Sequence, residues 1–323
     1  MKKIAFILLI LLAIAAPAFA PADAQQQQQS TAPALAGQDL FNTASDLLTA
    51  QKYDQAVLDL SLFILVNPTY TLGYFARAQG YMGLNNLDGA LKDVDQAIAT
   101  APSGSTADYG AALYSMRAEI EGQQKNPEGA FKDYSQSITI KPTVQALGSR
   151  GLLYLGQGNY QSALTDLNGA LALDSSNPAL YIYKGVADTG LKDVQAAGAD
   201  YVDFFNAIQP HPTIHDPIQT GQVITLQVDQ GVVTVLPFTA KAKQYVSALA
   251  VARSGSVDPL LALIDSTGKP LTGDDDSGGN SNALILNYQV PADGNYGLIV
   301  GHSLGGFTGT VLVQFQVSDT PAQ

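Results

Sequence analysis

The chain has 323 residues, of which 46% are hydrophobic and 14% charged, and it contains no Cys. This is enough apolar material for about two globular domains, and the absence of Cys excludes disulfides, thiolate zinc sites and thiol catalysis. A net charge of −12 disfavours nucleic acid and anionic membranes as partners because both attract cations, and 3 His leave little room for His-based chemistry.

The N-terminus has the pattern of an export signal. Two lysines precede an apolar run from Ile4 to Ala16, and small residues at 22–24 stand before Gln25. The run has 13 residues, fewer than the roughly 20 that span a bilayer. We therefore predict a cleaved signal peptide over 1–24 and a mature protein in the periplasm or outside the cell, with an uncleaved membrane anchor as the alternative. The Gln-rich leader at 25–36 is predicted to be disordered.

The middle of the chain repeats one pattern five times. In each copy a small residue is followed three positions later by Asp, and successive copies are 34, 40, 33 and 34 residues apart. The small residues are Ala56, Ala90, Ala130, Ala163 and Ala197, and the acids are Asp59, Asp93, Asp133, Asp166 and Asp200. Apolar residues at offsets of three and four predict a helix, a turn and a second helix in each copy. Such a pair cannot bury its apolar face alone, so the copies are expected to stack, with the Asp column facing solvent.

This pattern resembles the tetratricopeptide repeat family over about 37–210. A second column supports the resemblance, because a small residue stands 12 positions before each Ala of the first column. The five copies begin near 37, 71, 111, 144 and 178. The resemblance implies an α-solenoid in which the first helix of each copy lines a concave groove that binds peptides.

By register with that family, eight residues of this chain would line the groove. They are Phe41, Phe75, Gln79, Met82, Glu119, Leu152, Ile182 and Val186. Members of the family that bind a terminal carboxylate use Lys, Arg and Asn on these faces, whereas the corresponding faces here carry no Lys or Arg apart from Lys184. We therefore predict an apolar peptide or protein segment as the partner. The alternative is that these side chains only pack between neighbouring helices.

The helical pattern stops after Pro210, and residues 211–217 are predicted to be a linker. Seven short runs rich in β-branched and aromatic residues follow, separated by Gly, Asp, Ser and Pro. This spacing predicts an antiparallel β-sandwich over 218–318 and a short tail at 319–323. The predicted fold class is thus an α-solenoid of five helix hairpins followed by a β-sandwich.

The β-rich part resembles the bacterial pre-peptidase C-terminal domain. The likeness rests on the stretch from Asp258 to Asp265, on Gly268, on the acids at 274–276 and on the stretch from Asp293 to Tyr296. It implies a non-catalytic β-sandwich that aids secretion or targeting and whose relatives bind collagen or calcium. No peptidase domain precedes the module in this chain, and the repeats stand in its place.

Three consecutive acids, Asp274, Asp275 and Asp276, are the candidate metal ligands. Calcium takes about six to eight oxygen ligands, so clustered carboxylates suit it, and the resemblance points to the same ion. Asp258 and Asp265 are further candidates, although their places at strand ends favour a structural role. The alternative is a solvated turn between strands. Apart from calcium, the sequence indicates no cofactor.

The stretch from Gly301 to Gly305 matches the motif of a hydrolase nucleophile, with Ser303 at its centre. That motif needs a helix after the serine and a later His, whereas a β-rich run follows and no His comes after Ser303. His211 and His215 are flanked by prolines, which disfavour the helix that a shared metal would need. We therefore predict no catalytic residue.

The leading hypothesis is an exported, non-enzymatic protein that binds an apolar partner segment in the groove, with the β-sandwich as a targeting or adhesion module. The partner is a protein or peptide rather than nucleic acid, and the mature chain is not inserted in a membrane. The first alternative is an accessory protein of an extracellular enzyme or matrix, whose β-sandwich binds its ligand with calcium. The second alternative is a serine hydrolase that acts through Ser303.

Overall fold

The repeated spacing of small and bulky apolar residues produces an array of helices. The computed structural model describes residues 37–208, 212–229, 231–303 and 308–322, so the predicted signal peptide, the leader and His211 lie outside it. The helices of the described residues are α1 (Gln38–Thr49), α2 (Tyr53–Val66), α3 (Thr71–Gly83), α4 (Leu87–Thr100), α5 (Ala107–Gln123), α6 (Pro127–Ile140), α7 (Val144–Gly156), α8 (Tyr160–Leu173), α9 (Pro178–Gly190) and α10 (Val194–Ile208). None of these described helices is long and apolar enough to cross a membrane.

One kind of turn joins the two helices of every copy. Its left-handed residue, with φ between 56° and 71°, stands five positions before the Ala column, at Gln51, Asn85, Lys125, Gly158 and Lys192. In two copies an Asn then caps the second helix: Asn86 accepts from the N–H of Gly89 at 3.0 Å, and Asn126 accepts from that of Gly129 at 3.2 Å. The prediction of a helix, a turn and a second helix is confirmed in all five copies.

The chain divides between Gly156 and Gln157 into two compact units. The first contains α1 to α7, and each helix from α1 to α6 packs on the next one along the chain. The small residues of both columns are fully buried where the helices meet, as at Ala44, Ala56, Ala78 and Ala90. Their size lets the helix backbones approach closely, which is why the columns recur.

The second unit contains α8 to α10 and the strands. The strands of its described residues are β1 (Thr213–Ile214), β2 (Val223–Val228), β3 (Thr234–Ala240), β4 (Tyr245–Gly255), β5 (Pro259–Asp265), β6 (Pro270–Asp274), β7 (Ala283–Gln289), β8 (Gly294–His302) and β9 (Gly309–Ser318). One sheet has the order β1-β3-β8-β5-β6 and the other β2-β9-β4-β7. The pairs are antiparallel except β1 with β3. Buried side chains of both sheets, among them Phe238 and Phe315, form one core.

Helix α10 packs directly on the five-stranded sheet. Gly198 lies against the backbone of Thr272 in β6, where a Cβ atom would come within 2.4 Å of the carbonyl carbon. A Cβ atom on Gly301 in β8 would likewise come within 2.4 Å of the ring of Phe205. The last helix of the repeats and the sheets therefore belong to one compact unit. The sequence analysis, which placed a linker at 211–217, did not predict a contact between α10 and the sheet.

Candidate functional site

A cation on the first helix of a copy forms an ion pair with the Asp of the second helix, 16 positions further along the chain. This pairing joins α3 to α4, α5 to α6 and α9 to α10. The pairs are Arg77–Asp93 at 2.7 and 2.8 Å, Arg117–Asp133 with one of its two hydrogen bonds at 2.9 Å, and Lys184–Asp200 at 2.6 Å. The two arginines use Nε and a terminal nitrogen, so each grips both carboxylate oxygens.

The expectation that the Asp column faces solvent is wrong for four of its five members. Asp93, Asp133, Asp166 and Asp200 are each only 3% exposed. A buried carboxylate is stable when a cation and hydrogen bonds replace its water, and first-helix cations supply these at Asp93, Asp133 and Asp200. Asp59 is partly exposed, and its copy has Thr43 at the position of the cation.

The arginines also link neighbouring copies. Arg117 donates from Nη1 to Asp95 of α4 at 2.8 Å, and its guanidinium lies 5.4 Å from the ring centre of Tyr114. Arg77 donates in the same way to the hydroxyl of Ser61 in α2 at 3.1 Å. The hydrogen bond to Asp133 raises the pKa of Arg117 above its ordinary value. The guanidinium groups of Arg77 and Arg117 thus already make hydrogen bonds to residues of the first unit.

The eight predicted groove residues differ in exposure. Gln79, Met82 and Val186 are partly exposed. The other five are buried, namely Phe41, Phe75, Glu119, Leu152 and Ile182. The ring of Phe41 lies 5.1 Å from that of Phe63, and the ring of Phe75 lies 5.8 Å from that of Tyr109. These aromatic residues contribute to the core, so the partly exposed residues are the ones available to a partner in the free protein.

Glu119 is an acid on the predicted groove face of α5. It is 7% exposed, and Gln145 of α7 donates to its carboxylate at 3.4 Å. Burial raises the pKa of Glu119 to about 7. A fraction of this carboxyl is therefore neutral at neutral pH, which weakens the one acidic charge among the eight residues.

The fifth copy carries a second acid beside its ion pair. Asp188 of α9 and Asp200 of α10 are both buried, and their carboxyl groups lie within hydrogen-bond reach of each other. Burial raises the pKa of Asp200 above its ordinary value, Asp188 adds to this, and Lys184 opposes it.

In the β-rich region the structure brings together Asp258, Asp275 and Asp276. One carboxylate oxygen from each lies within 4.8 Å of the other two. Asp275 is buried, Asp258 is partly exposed and Asp276 is exposed, so the cluster reaches the surface. Three carboxylates at this separation suit a hard divalent cation such as calcium.

The other two predicted ligands accept hydrogen bonds from backbone N–H groups outside the cluster. Asp274 accepts hydrogen bonds from the N–H groups of Leu284 at 2.7 Å and Ser277 at 3.0 Å, and also from the hydroxyl of Ser277. Asp265 accepts from the N–H groups of Thr267 at 2.8 Å and Lys269 at 3.1 Å, in the turn between β5 and β6. The third carboxylate beside Asp275 and Asp276 is thus that of Asp258, whereas the sequence analysis named Asp274.

Ser303 is buried at the end of β8. Its hydroxyl donates to the carboxylate of Asp258 at 3.0 Å, and its N–H donates to the carbonyl oxygen of the same residue at 2.9 Å. Strand β9 begins at Gly309, which leaves too few residues for the helix that the nucleophile motif needs. Elsewhere, His215 Nδ1 lies 2.8 Å from the carbonyl oxygen of Asp216, and its predicted companion His211 is outside the described residues.

Comparisons with known proteins concern the helical part. The human "Tetratricopeptide repeat protein 13" is 23% identical over 207 aligned residues, which cover 55% of this chain and 23% of that protein. The chain thus spans less than a quarter of the length of this relative. The solved structure "MamA 41-end from Desulfovibrio magneticus RS-1" has a TM-score of 0.48 at 12% identity, covering 54% of this chain and 96% of that one.

A second solved structure, that of YrrB, described as a TPR protein with an unusual peptide-binding site, has a TM-score of 0.44 at 14% identity. The match covers 53% of this chain and 86% of that one. Among family models, the one described as tetratricopeptide repeat matches residues 149–203, from the first helix of the fourth copy into the second helix of the fifth. The repeats of this chain are therefore supported as tetratricopeptide repeats over that stretch.

Proposed function

We propose that this chain is a non-enzymatic scaffold whose repeats bind an apolar segment of a protein or peptide partner. The proposal rests on the three ion pairs between the first and second helices of the copies. Arg77, Arg117 and Lys184 lie on first helices, and each is held by a buried Asp of its own copy at hydrogen-bond distance. Moving one of them to a ligand's carboxylate would leave that Asp buried without its partner, which is costly. An acidic ligand is therefore disfavoured, and apolar contact is what these faces offer.

Two of the three partly exposed residues of the predicted groove, Met82 and Val186, are apolar and support an apolar ligand. Met82 is flexible and polarisable, and it fits varied apolar side chains. Glu119 is buried with a raised pKa of about 7, so it repels such a ligand less than an exposed carboxylate would. A few side chains buried at about 1.5–3 kcal/mol each would give micromolar affinity after the costs of association.

Panning a random peptide display library on the full chain tests this proposal. We expect recovered peptides to be rich in Leu, Ile and Phe, with no preference for a free acidic C-terminus. Met82→Asp should weaken their binding about tenfold or more, because it places a charge against apolar ligand atoms. The matched control is Ala99→Asp on the exposed side of α4, which should leave binding unchanged. Acidic binders, or equal losses in both variants, would contradict the proposal.

We also propose that the scaffold works outside the cytoplasm, with its β-rich region as a targeting or adhesion module of the pre-peptidase C-terminal type. The charged start, the apolar run from Ile4 to Ala16 and the small residues before Gln25 support the export signal. N-terminal sequencing of the protein from its native envelope should begin at Gln25. A start at Met1 would contradict the cleavage.

The acidic cluster favours a second candidate function, calcium-dependent ligand binding by the β-rich region. We propose Asp258, Asp275 and Asp276 as the ligands, since their carboxylate oxygens lie within 4.8 Å of one another. Bound calcium would also relieve the mutual repulsion of three carboxylates. A ligand that binds the folded state alone stabilises it by about 2.7 kcal/mol at a hundred times its Kd.

Thermal unfolding with and without millimolar calcium tests this candidate. We expect calcium to raise the Tm of the full chain by several degrees, and Asp276→Asn to abolish most of that rise. Asp265→Asn is the matched control, because Asp265 holds a turn within the same region and lies outside the cluster. An unchanged Tm with calcium, or an equal rise in Tm in both variants, would contradict a calcium site at these residues.

A further inference from the structure

Glu119 of α5 is a buried acid that forms no ion pair with any described residue. Its side chain is 7% exposed, and the only hydrogen bond that its carboxylate accepts from the described residues is the one from Gln145 at 3.4 Å. The buried acids Asp93, Asp133 and Asp200, by contrast, each bind a cation. A buried carboxylate without a cation costs free energy. Glu119 is therefore poorly compensated within the described part of the chain.

The acid at this position belongs to the third copy alone. The residue that directly follows the upstream small residue is uncharged in the other four copies, where it is Ser45, Gln79, Leu152 and Val186. The stacking of the copies thus does not require an acid here. Burial raises the pKa of Glu119 to about 7. A costly group that packing does not need is a candidate for a functional role.

A gap lies beside Glu119 on the same face of α5. Three residues further along the helix, at Gly122, a Cβ atom would meet nothing within 4 Å. Residues three apart share a helix face, and a helical side chain leans toward the N-terminus, so a side chain at 122 would lie over Glu119. The second and fourth copies have Met82 and Leu155 at this position. The glycine therefore leaves room beside the carboxyl for a side chain that this copy does not supply.

A basic side chain has the chemistry that suits both the gap and the carboxyl. The methylene groups of a Lys or Arg fill space that apolar side chains take in the neighbouring copies, and its cationic head pairs with the carboxylate. Gln145 is partly exposed, and its amide oxygen is an acceptor for the same head. Charges attract more strongly away from bulk water, and the net charge of −12 adds a long-range attraction for cations.

We propose that Glu119 and the gap at Gly122 bind one Lys or Arg side chain of the partner, so that the partner is an apolar segment with a basic residue at this point. The inference rests on the proposed function, because it names the ligand of the same groove more closely. A wholly apolar segment would remove the last water from the carboxyl and supply no hydrogen bond in return, whereas a basic residue supplies one. Glu119 thus selects among apolar segments.

Peptides recovered by panning a display library on the full chain supply the probe. For a recovered peptide that contains Lys, Kd is measured for the peptide and for a version with norleucine in place of that Lys. At pH 8 most of the Glu119 carboxyl is ionised, so the measurement is made there. We expect norleucine to weaken binding to the unaltered chain about tenfold or more, and binding to Glu119→Gln less than about twofold. The matched control is Glu128→Gln, at an exposed acid of α6, which should keep the tenfold difference.

Gly122→Met tests the gap separately from the charge. It gives the third copy the residue that the second copy has, and Met favours a helix over Gly, so far-ultraviolet dichroism should show that α5 is kept. We expect this variant to reduce the effect of norleucine to less than about twofold, because the basic head no longer reaches Glu119.

The other outcomes overturn the inference. If the recovered apolar peptides lack a basic residue, or if norleucine has the same effect on Glu119→Gln as on the unaltered chain, Glu119 does not recognise the ligand, and the proposed groove function still stands. If no peptide binds, the inference falls together with the proposed function. A norleucine effect that persists in Gly122→Met places the basic residue outside the gap.

Discussion

Arg117→Met is expected to lower the free energy of unfolding of the first unit by about 3–5 kcal/mol, because it leaves a buried carboxylate without its cation. Asp133 is 3% exposed and receives two hydrogen bonds from Arg117. Removing the acid instead should cost less. The guanidinium of Arg117 is partly exposed and keeps Asp95 and water as partners. Urea unfolding followed by far-ultraviolet dichroism measures the difference.

The double variant Arg117→Met/Asp133→Leu is the decisive control. Replacing both charges with apolar groups of similar size removes the stranded carboxylate, so most of the lost free energy of unfolding should return. Lys132→Met, on the exposed side of α6, should change it by less than about 0.5 kcal/mol. A double variant as unstable as Arg117→Met alone would show that the pair matters through its shape rather than its charge.

Gly198→Ala is expected to lower the free energy of unfolding of the second unit by about 2–3 kcal/mol. The added methyl group would lie 2.4 Å from the carbonyl carbon of Thr272, and backbone cannot rotate away as a side chain can. Either α10 or β6 must shift. Hydrogen exchange should then rise in β6, next to the altered contact, and denaturant unfolding should give the loss of stability.

Gly122→Ala is the matched control for this contact. It makes the same substitution in helix α5, where a Cβ atom would meet nothing within 4 Å. Ala favours a helix over Gly by about 0.5–1 kcal/mol, so this variant should be slightly more stable than the parent. The free energy of unfolding is therefore expected to fall in Gly198→Ala and to rise slightly in Gly122→Ala. A Gly198→Ala protein as stable as Gly122→Ala would mean that α10 can shift on the sheet at no cost.

The sequence predicted the helical repeats well because their pattern is local and recurs five times. It failed on the Asp column because only the small and apolar columns were compared, and the cations that stand directly before the upstream small residues were not matched with the acids 16 residues later. A signal was nonetheless present. The position before the upstream small residue holds Arg77, Arg117, Arg150 and Lys184 in four of the copies. A cation that recurs on one helix and an acid that recurs on the next indicate an ion pair.

The β-rich region was harder to predict from the sequence. The seven predicted runs correspond to β2, β3, β4, β5, β7, β8 and β9. The short strand β1 falls in the predicted linker, and β6 was missed because Pro-Leu-Thr-Gly-Asp has only one β-branched residue and no aromatic one. That strand receives α10, and its Gly273 is needed where the helix approaches closely. The candidate metal ligands were grouped by adjacency, whereas Asp274 ends strand β6 and accepts hydrogen bonds from Ser277 and Leu284, and the fold brings Asp258 in from another loop.

The packing of α10 on β6 and β8 changes what counts as a separable module in this protein. A truncated chain that ends at residue 210 would uncover the underside of α10, where Phe205 meets Gly301, and would leave an aggregation-prone fragment. A pull-down with that fragment would recover proteins attracted to exposed core rather than to the groove. A domain boundary placed before the strands would therefore be wrong. Any other protein that contains these two sheets must also contain α10, the helix that covers them.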